Sequence, residues 1–334
     1  MDWNRGYSSA FYAKEVDPVT WRDIDEIPIT GGTVKRTVGG LRNSATLECL
    51  ADLGGIEKWV RIYMDVEQDG GYAHEAIFTG LAASPKRSVY ASRAERSPDC
   101  YSVLKPADDI LLPRGWFAIA GQNGGEVVRQ LLSVSPAPIV VADGAPALST
   151  AIIAEDGETR LTMADKVLEA IDWYIDIDGN GTINVRPVSA VPVATLDPAT
   201  YDVIEVPIKI VEDWYSAPNV YQAISGDMVG IARDDREESP LSVQNRGREV
   251  WATESGVTLS AGETIGEYAQ RQLKKAQRVR KQASYDRRYI PQVRPGTVIN
   301  LHYPAQGLDG MYIVASQSIR LGFSARTAEN VEEL

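Results

Sequence analysis

Taken by its alternation of apolar and polar positions, the chain opens as strands. ITGGTVKRTVGG followed by SATLECLA sets β-branched residues against polar ones at a period of two, with Gly-Gly at turns. In KWVRIYMDVEQDGGYAHEAIFTGLAAS, Val60 and Ile62 alternate on one arm, QDGG turns the chain and Ile77 begins the return, which predicts a hairpin. The texture then changes. LKPADDILLPRG is a Pro-punctuated connection, GGEVVRQLLS predicts a helix, and SPAPIVVADGAP is turn-rich. Leu161, Ala164, Leu168 and Ile171 share one face at helical spacing, and Thr162 with Asp165 fits a capping box for that helix. It leads directly into IDWYIDIDGNGTINV. Beyond Pro187, VSAVPVATLDPATYD is interrupted by prolines, and a third region begins with DVIEVPIKIVEDW and continues through NVYQAISG. Ser260 and Glu263 form a second capping box, ahead of an apolar stripe of Ile265, Ala269, Leu273, Ala276 and Val279. RPGTVINLHYPAQGLDGMYIVASQSIRLGF predicts a closing hairpin opened by Pro295-Gly296.

The two hairpins share an apolar arm, an aromatic near its end, a Gly-containing turn and an apolar return. That parallel predicts an internal repeat, and hence a duplicated β-barrel with a middle segment between the copies. A length of 334 residues also exceeds what one core usually serves. No run approaches a membrane span and the first residues lack a secretory pattern, so folding in a cytoplasm without membrane insertion is expected. Cys49 and Cys100 each sit in a strand-like run, where a buried thiol is the expected state.

The net charge of −12 argues against general affinity for nucleic acid or anionic membrane. Charge is nevertheless segregated. Between Arg271 and Arg294 stand nine basic residues and one acid, Asp286, a balance of +8 that leaves −20 on the rest. The stripe assigns most of that charge to one face of an amphipathic helix, suited to docking on acidic surface of a neighbouring copy. Asp234, Asp235, Glu237 and Glu238 crowd one polar loop and are expected to be solvated, with Arg246 and Arg248 as pairing candidates. His74 and His302 stand in separate hairpins without a zinc or triad pattern. GQNGGE has the glycines of a phosphate loop but lacks its GK[ST]. Asp176, Asp178, Asn180 and Gly181 fall at the spacing that opens an EF-hand calcium loop. The twelfth position, where that loop needs a bidentate Glu, is Pro187, so IDIDGNG reads as a hairpin turn. No catalytic, cofactor or metal-binding residue is assigned.

The order of IFTGLAASPKRSVY, CYSVLKPADDILLPRG, the helix leading into YIDIDGNGTINVRP, then PNVYQAISGD, ESPLSVQNRGREVW and VRPGTVINLHY resembles the baseplate or tail-tip hub proteins of tailed bacteriophages. The resemblance implies a mainly β (α+β) chain of two tube-type antiparallel β-barrels separated by a small α/β middle domain. It places the first barrel at 1–104, the helix-and-hairpin domain at 105–200, and the second barrel at 201–334, with a helical insertion around 255–289. It also implies a non-enzymatic homotrimer of the virion tail tip, without cofactor, adapting a sixfold tail tube or distal tail ring to a threefold tip, fibre or spike. The tape-measure protein is a further candidate partner. Two other classes stay open at this point: a carboxylate-dependent cell-wall hydrolase of the tail tip, and a calcium-binding adhesion module.

Overall fold

The first hairpin shows why this chain makes sheet. Along Lys58–Gln68, the residues Val60, Ile62, Met64 and Val66 are buried on one face, as a period of two requires. Asp69 and Gly70 turn with positive φ, and Gly71–Val89 returns antiparallel. The computed structural model describes residues 1–49, 57–89, 94–212, 214–257, 264–277, 281–322 and 326–334. The chain divides into two compact units: residues 1–208 with 284–331, and residues 209–283 with 332–334.

The sequence predicts two barrels; the structure has an open sheet instead. Its strands run in the order Ile204–Glu212, Lys281–Arg288, Arg326–Glu333, Leu308–Leu321, Ile29–Thr37, Asn43–Cys49, Ala94–Ser102, Gly71–Val89, Lys58–Gln68, Ser8–Val16 and Asp23–Ile27. Pro192–Leu196 and Val298–Tyr303 branch from it at Leu308–Leu321. The pairing that overturns the prediction joins the ends of the chain: Ser316 lies opposite Thr37 and Leu321 opposite Gly32. An edge that each expected barrel needs for its own closure is used here for the other half, and among the described residues neither half closes on itself. The apolar core of this sheet gathers Val34, Leu47, Ile62, Phe78 and Ile319 from both chain ends.

Between these strands in sequence lies a helix-and-hairpin module with its own core. Gly124–Leu132 and Arg160–Ile171 bury Val128, Leu132, Ala164 and Leu168 against the hairpin of Trp173–Ile177 and Ile183–Pro187, to which Ile139–Val141 adds a parallel strand. The GQNGGE run begins the first of these helices: the Asn123 side chain accepts from the Glu126 amide at 3.0 Å as its N-cap. In the second, the reciprocal box is Thr159 with Thr162, one turn before the predicted Thr162 and Asp165. Asp165 is left for other use.

In the second unit, Val220–Ser225 lies between Met228–Arg233 (antiparallel) and Trp251–Ser255 (parallel), and Ile265–Ala276 packs Tyr268, Ala269 and Leu273 on one face against Ala223 and Ala232. A Cβ on Gly230 would stand 2.4 Å from the Ile265 carbonyl oxygen, so only glycine admits the helix this close. Here too the sequence is corrected. The helix is capped by Thr264 and Glu267, and it lies on a three-stranded sheet, not in a barrel. It carries Arg271, Lys274 and Lys275; Lys281, Arg287 and Arg288 belong to a strand, and Ser260, Glu263, Arg278, Val279 and Arg280 lie outside the described residues. The +8 stretch is therefore not one basic helix face.

One of those arginines is a core residue. Arg287 and Glu329 are completely buried and meet through two hydrogen bonds, at 2.9 and 2.5 Å, with Tyr285 and Gln317 donating to the same carboxylate. Burial and the adjacent carboxylate push the Tyr285 hydroxyl far above its ordinary range. Removing one partner of such a pair strands a buried charge. Glu329→Gln is expected to lower unfolding free energy by about 3–5 kcal/mol in chemical denaturation, and the apolar double replacement Arg287→Met with Glu329→Leu to lose less than the single change.

Candidate functional site

The segment with the metal-like spacing is a docking turn. Asp178 ends one hairpin arm, its carboxylate accepts from the Thr182 amide at 2.9 Å, and Gly181 takes φ of 81°, a conformation glycine adopts without strain. Two carbonyls of the turn accept from side chains of the sheet. Thr79 donates to the Gly179 carbonyl at 2.8 Å; the Trp21 indole and the Arg61 guanidinium donate to that of Asn180 at 3.0 and 3.1 Å. Arg61 and Thr79 are buried register partners on the long hairpin, on the face away from Val60 and Ile62. The turn therefore covers polar residues on the reverse of the sheet. A Cβ on Gly179 would lie 1.6 Å from the Ala76 carbonyl oxygen, a distance no side chain can occupy.

Beside it the strand is bulged between the Ile62–Phe78 and Tyr63–Ala76 pairs, leaving Ile77 outside the ladder. Its carbonyl accepts from Arg36. Around this point charges cluster, with Asp176, Arg36, Arg42 and Arg61 buried and their other partners half-buried. Asp176 pairs with Arg186 at 2.9 Å and Arg294 at 3.0 Å, and Arg42 reaches the Asp165 freed by the shifted capping box. Arg61 also holds Asp23 at 2.7 Å. Trp21 and Arg42 both have positive φ, at 56° and 62°, which is costly for bulky side chains. The strain sits where these two side chains reach the turn and the helix. Glu75 is half-buried here; loss of water raises its pKa, against the pull of Arg36 and Arg294.

The other predicted candidates lie apart from this junction. Asp234 departs from the solvated loop expected for it: it is buried, accepting from Arg236 at 2.8 and 3.1 Å, Ser239 at 2.6 Å and Gln277 at 2.9 Å. Those donors, Arg236 first, hold its carboxyl well below the usual carboxylate range. Asp235, Glu237 and Glu238 are exposed. Arg246 donates to the carbonyls of Ala217 and Tyr215, and Arg248 donates to Tyr215 and stacks on its ring at 4.3 Å, so neither takes up the acids within the chain. His74 faces Asp65 at 2.6 Å and His302 faces Asp309 at 2.9 Å, each across its own exposed hairpin. Cys49 and Cys100 are both buried and are not joined in a disulfide. Among the described residues, no group of three His, Cys, Asp or Glu could hold a metal ion, and no helix is long and apolar enough to cross a membrane. Met228–Arg233 turns Gly230 to its helix, so Val229 and Ile231 point the other way, exposed, as is Trp251 two strands over.

No family model and no curated protein matches the chain. Solved structures do. A 43 kDa tail protein of prophage MuSo2 from Shewanella oneidensis superposes with a TM-score of 0.69 at 14% identity, over 98% of both chains. The tail protein from Neisseria meningitidis MC58 gives 0.70 at 17%, over 98% of this chain and 97% of the other. These are tail-protein folds. Prophage tail protein gp18 from Listeria monocytogenes EGD-e adds 0.55 at 10%, over 97% and 94%. At such identities the likeness is one of fold.

Gly179→Ala is expected to cost more than about 3 kcal/mol, because neither the strand backbone nor the turn can yield the missing space. Millimolar calcium against EDTA is expected to leave the melting temperature of the wild type unchanged, and a calcium-dependent rise would restore the metal reading. Asp234→Asn is expected to cost about 2–3 kcal/mol, the worth of hydrogen bonds to a charged group. The depressed carboxyl contributes fully above the unfolded value of about 3.9 and is lost as pH falls towards the folded one. The deficit of the variant should thus be constant from pH 5 to 8 and shrink below about pH 4.

Proposed function

We propose that this chain is a structural protein of a phage or prophage tail, a homotrimeric hub that adapts the sixfold tail tube or distal tail ring to a threefold tip, fibre or spike. The observation that carries the reading is a fold shared from end to end, over 98% and 97–98% of the respective chains, with two tail proteins. A likeness confined to one module would say less. The exposed apolar side chains Val229, Ile231 and Trp251 suit a protein that works by contact with others. Partners under this reading are further copies of the chain, the tube or distal tail protein and the tip protein, with the tape-measure protein as an additional one. The place of action is the virion tail tip, after assembly in the host cytoplasm.

The hydrolase reading has less behind it. A general acid needs a carboxyl raised towards neutrality, and in the acidic run at 234–238 the buried member, Asp234, is held in the opposite direction; Glu75, which is raised, stands at the junction among arginines. The adhesion reading needs a calcium loop, and the Gly179 and Asn180 carbonyls of this turn already accept from Thr79, Trp21 and Arg61.

Light scattering on the purified protein after size exclusion is expected to give three times the chain mass, alone or once the tube or distal tail protein is added. A monomer under both conditions would overturn the hub. No clearing is expected in a cell-wall gel.

A further inference from the structure

The junction beneath the docking turn holds a small cavity of about 20 Å³ lined by Arg36, Arg42, Asn43, Asp176 and Arg294. That volume suits a single guest the size of a water molecule or a halide, and excludes phosphate or sulfate. Three of the arginines present N–H groups with no acceptor: Nη1 of Arg36, Nε of Arg42 and Nε of Arg294. Their charges are not equally compensated. Arg42 has Asp165 and Arg294 has Asp176, which Arg186 also shares. Arg36 has neither. It is 5% exposed, donates Nη2 to the Ile77 carbonyl, and lies 5.7 Å from the centre of the Tyr289 ring. Among the described residues no carboxylate pairs with it within 4 Å; Glu75, whose charge Arg36 favours from further off, is itself half-buried and raised by loss of water. A buried cation in that position needs a counter-charge, and its unused N–H group belongs to a residue lining the cavity.

We propose that this cavity binds one small monovalent anion of chloride size, held by Arg36, Arg42 and Arg294. Asp176 Oδ2 also lies on this wall without a well-aligned donor, but Arg186 at 2.9 Å and Arg294 at 3.0 Å stand at ion-pair distance from it and offset its repulsion of an anion. Asn43 completes the wall. Its side-chain oxygen lacks a donor as placed, and turning the amide would offer N–H to the anion instead. The site would tie the hairpin module to the sheet by charge as well as by the turn.

The test uses the whole chain at constant ionic strength, with chloride replacing gluconate. A saturable rise in melting temperature of about 2–4 °C is expected, the shift that a ligand of modest affinity gives a protein this size. Bromide should replace chloride and show by its anomalous scattering between Arg36 and Arg42 in crystals. Asn43→Asp builds the negative charge into the wall, and is expected to be as stable in gluconate as in chloride. Arg36→Met is expected to lose the halide response, but Asn43→Asp decides the matter if Arg36→Met does not fold. Equal melting in gluconate and chloride, a halide response undiminished in Asn43→Asp, or a water in the cavity of bromide-soaked crystals would each overturn the proposal.

Discussion

The contact between the turn at 178–181 and the bulged strand at Ala76–Thr79 is the constraint around which the first unit is arranged. Two modules with separate cores meet there through buried backbone carbonyls, flanked by apolar contact in which Trp21, Leu41 and Trp59 of the sheet half pack against the module's core. A buried carbonyl needs a donor, and those of Gly179 and Asn180 have theirs from the opposite side. That requirement explains several features at once. It explains a buried Arg61 in the middle of an otherwise regular hydrophobic arm, a tryptophan at positive φ, and a glycine at 179 with no room for a methyl group.

Charge follows the same logic. Asp176, Asp165 and Asp23 each receive an arginine from another part of the chain, so the junction is specified by pairs whose partners are far apart in sequence. Ion pairs of this kind, each with one buried partner, add little net stability over an apolar packing, but a wrong register leaves the buried charge stranded. They act on specificity. Arg287 and Glu329 do the same inside the C-terminal strands, where Gln317 and Tyr285 complete the set.

The sequence made local features legible and long-range ones not. Both hairpins, the two module helices and the turn at IDIDGNG follow from period, glycine and the proline at 187, because these are determined within a few residues. The barrels failed for a different reason. Whether Ile29–Thr37 pairs within its own half or with Leu308–Leu321 depends on an edge nearly three hundred residues away, and alternation is the same in either case. The basic stretch misled because formal charge does not say where a side chain points: Arg287 is in the core and Arg294 is paired to Asp176. Asp234 departs from the solvated reading because formal charge does not show that the loop folds back on it through Arg236 and Ser239, or that Gln277 at the end of the packed helix adds a donor. A signal at the junction is Arg61, a charge set between Val60 and Ile62 in the apolar stretch of its strand.

For a protein proposed to join rings of different symmetry, a module fixed rigidly to its sheet has an evident use, since assembly contacts on one would then be held in register with the other. The most direct test is hydrogen exchange across residues 15–24, 71–80 and 171–187 in the wild type and in Arg61→Met, which removes a donor to the turn without adding bulk. The account predicts slow exchange in the wild type and a joint loss of protection in all three segments of the variant, with the strands at 308–321 unaffected. Unchanged protection in the variant, or rapid exchange of residues 171–187 already in the wild type, would contradict it.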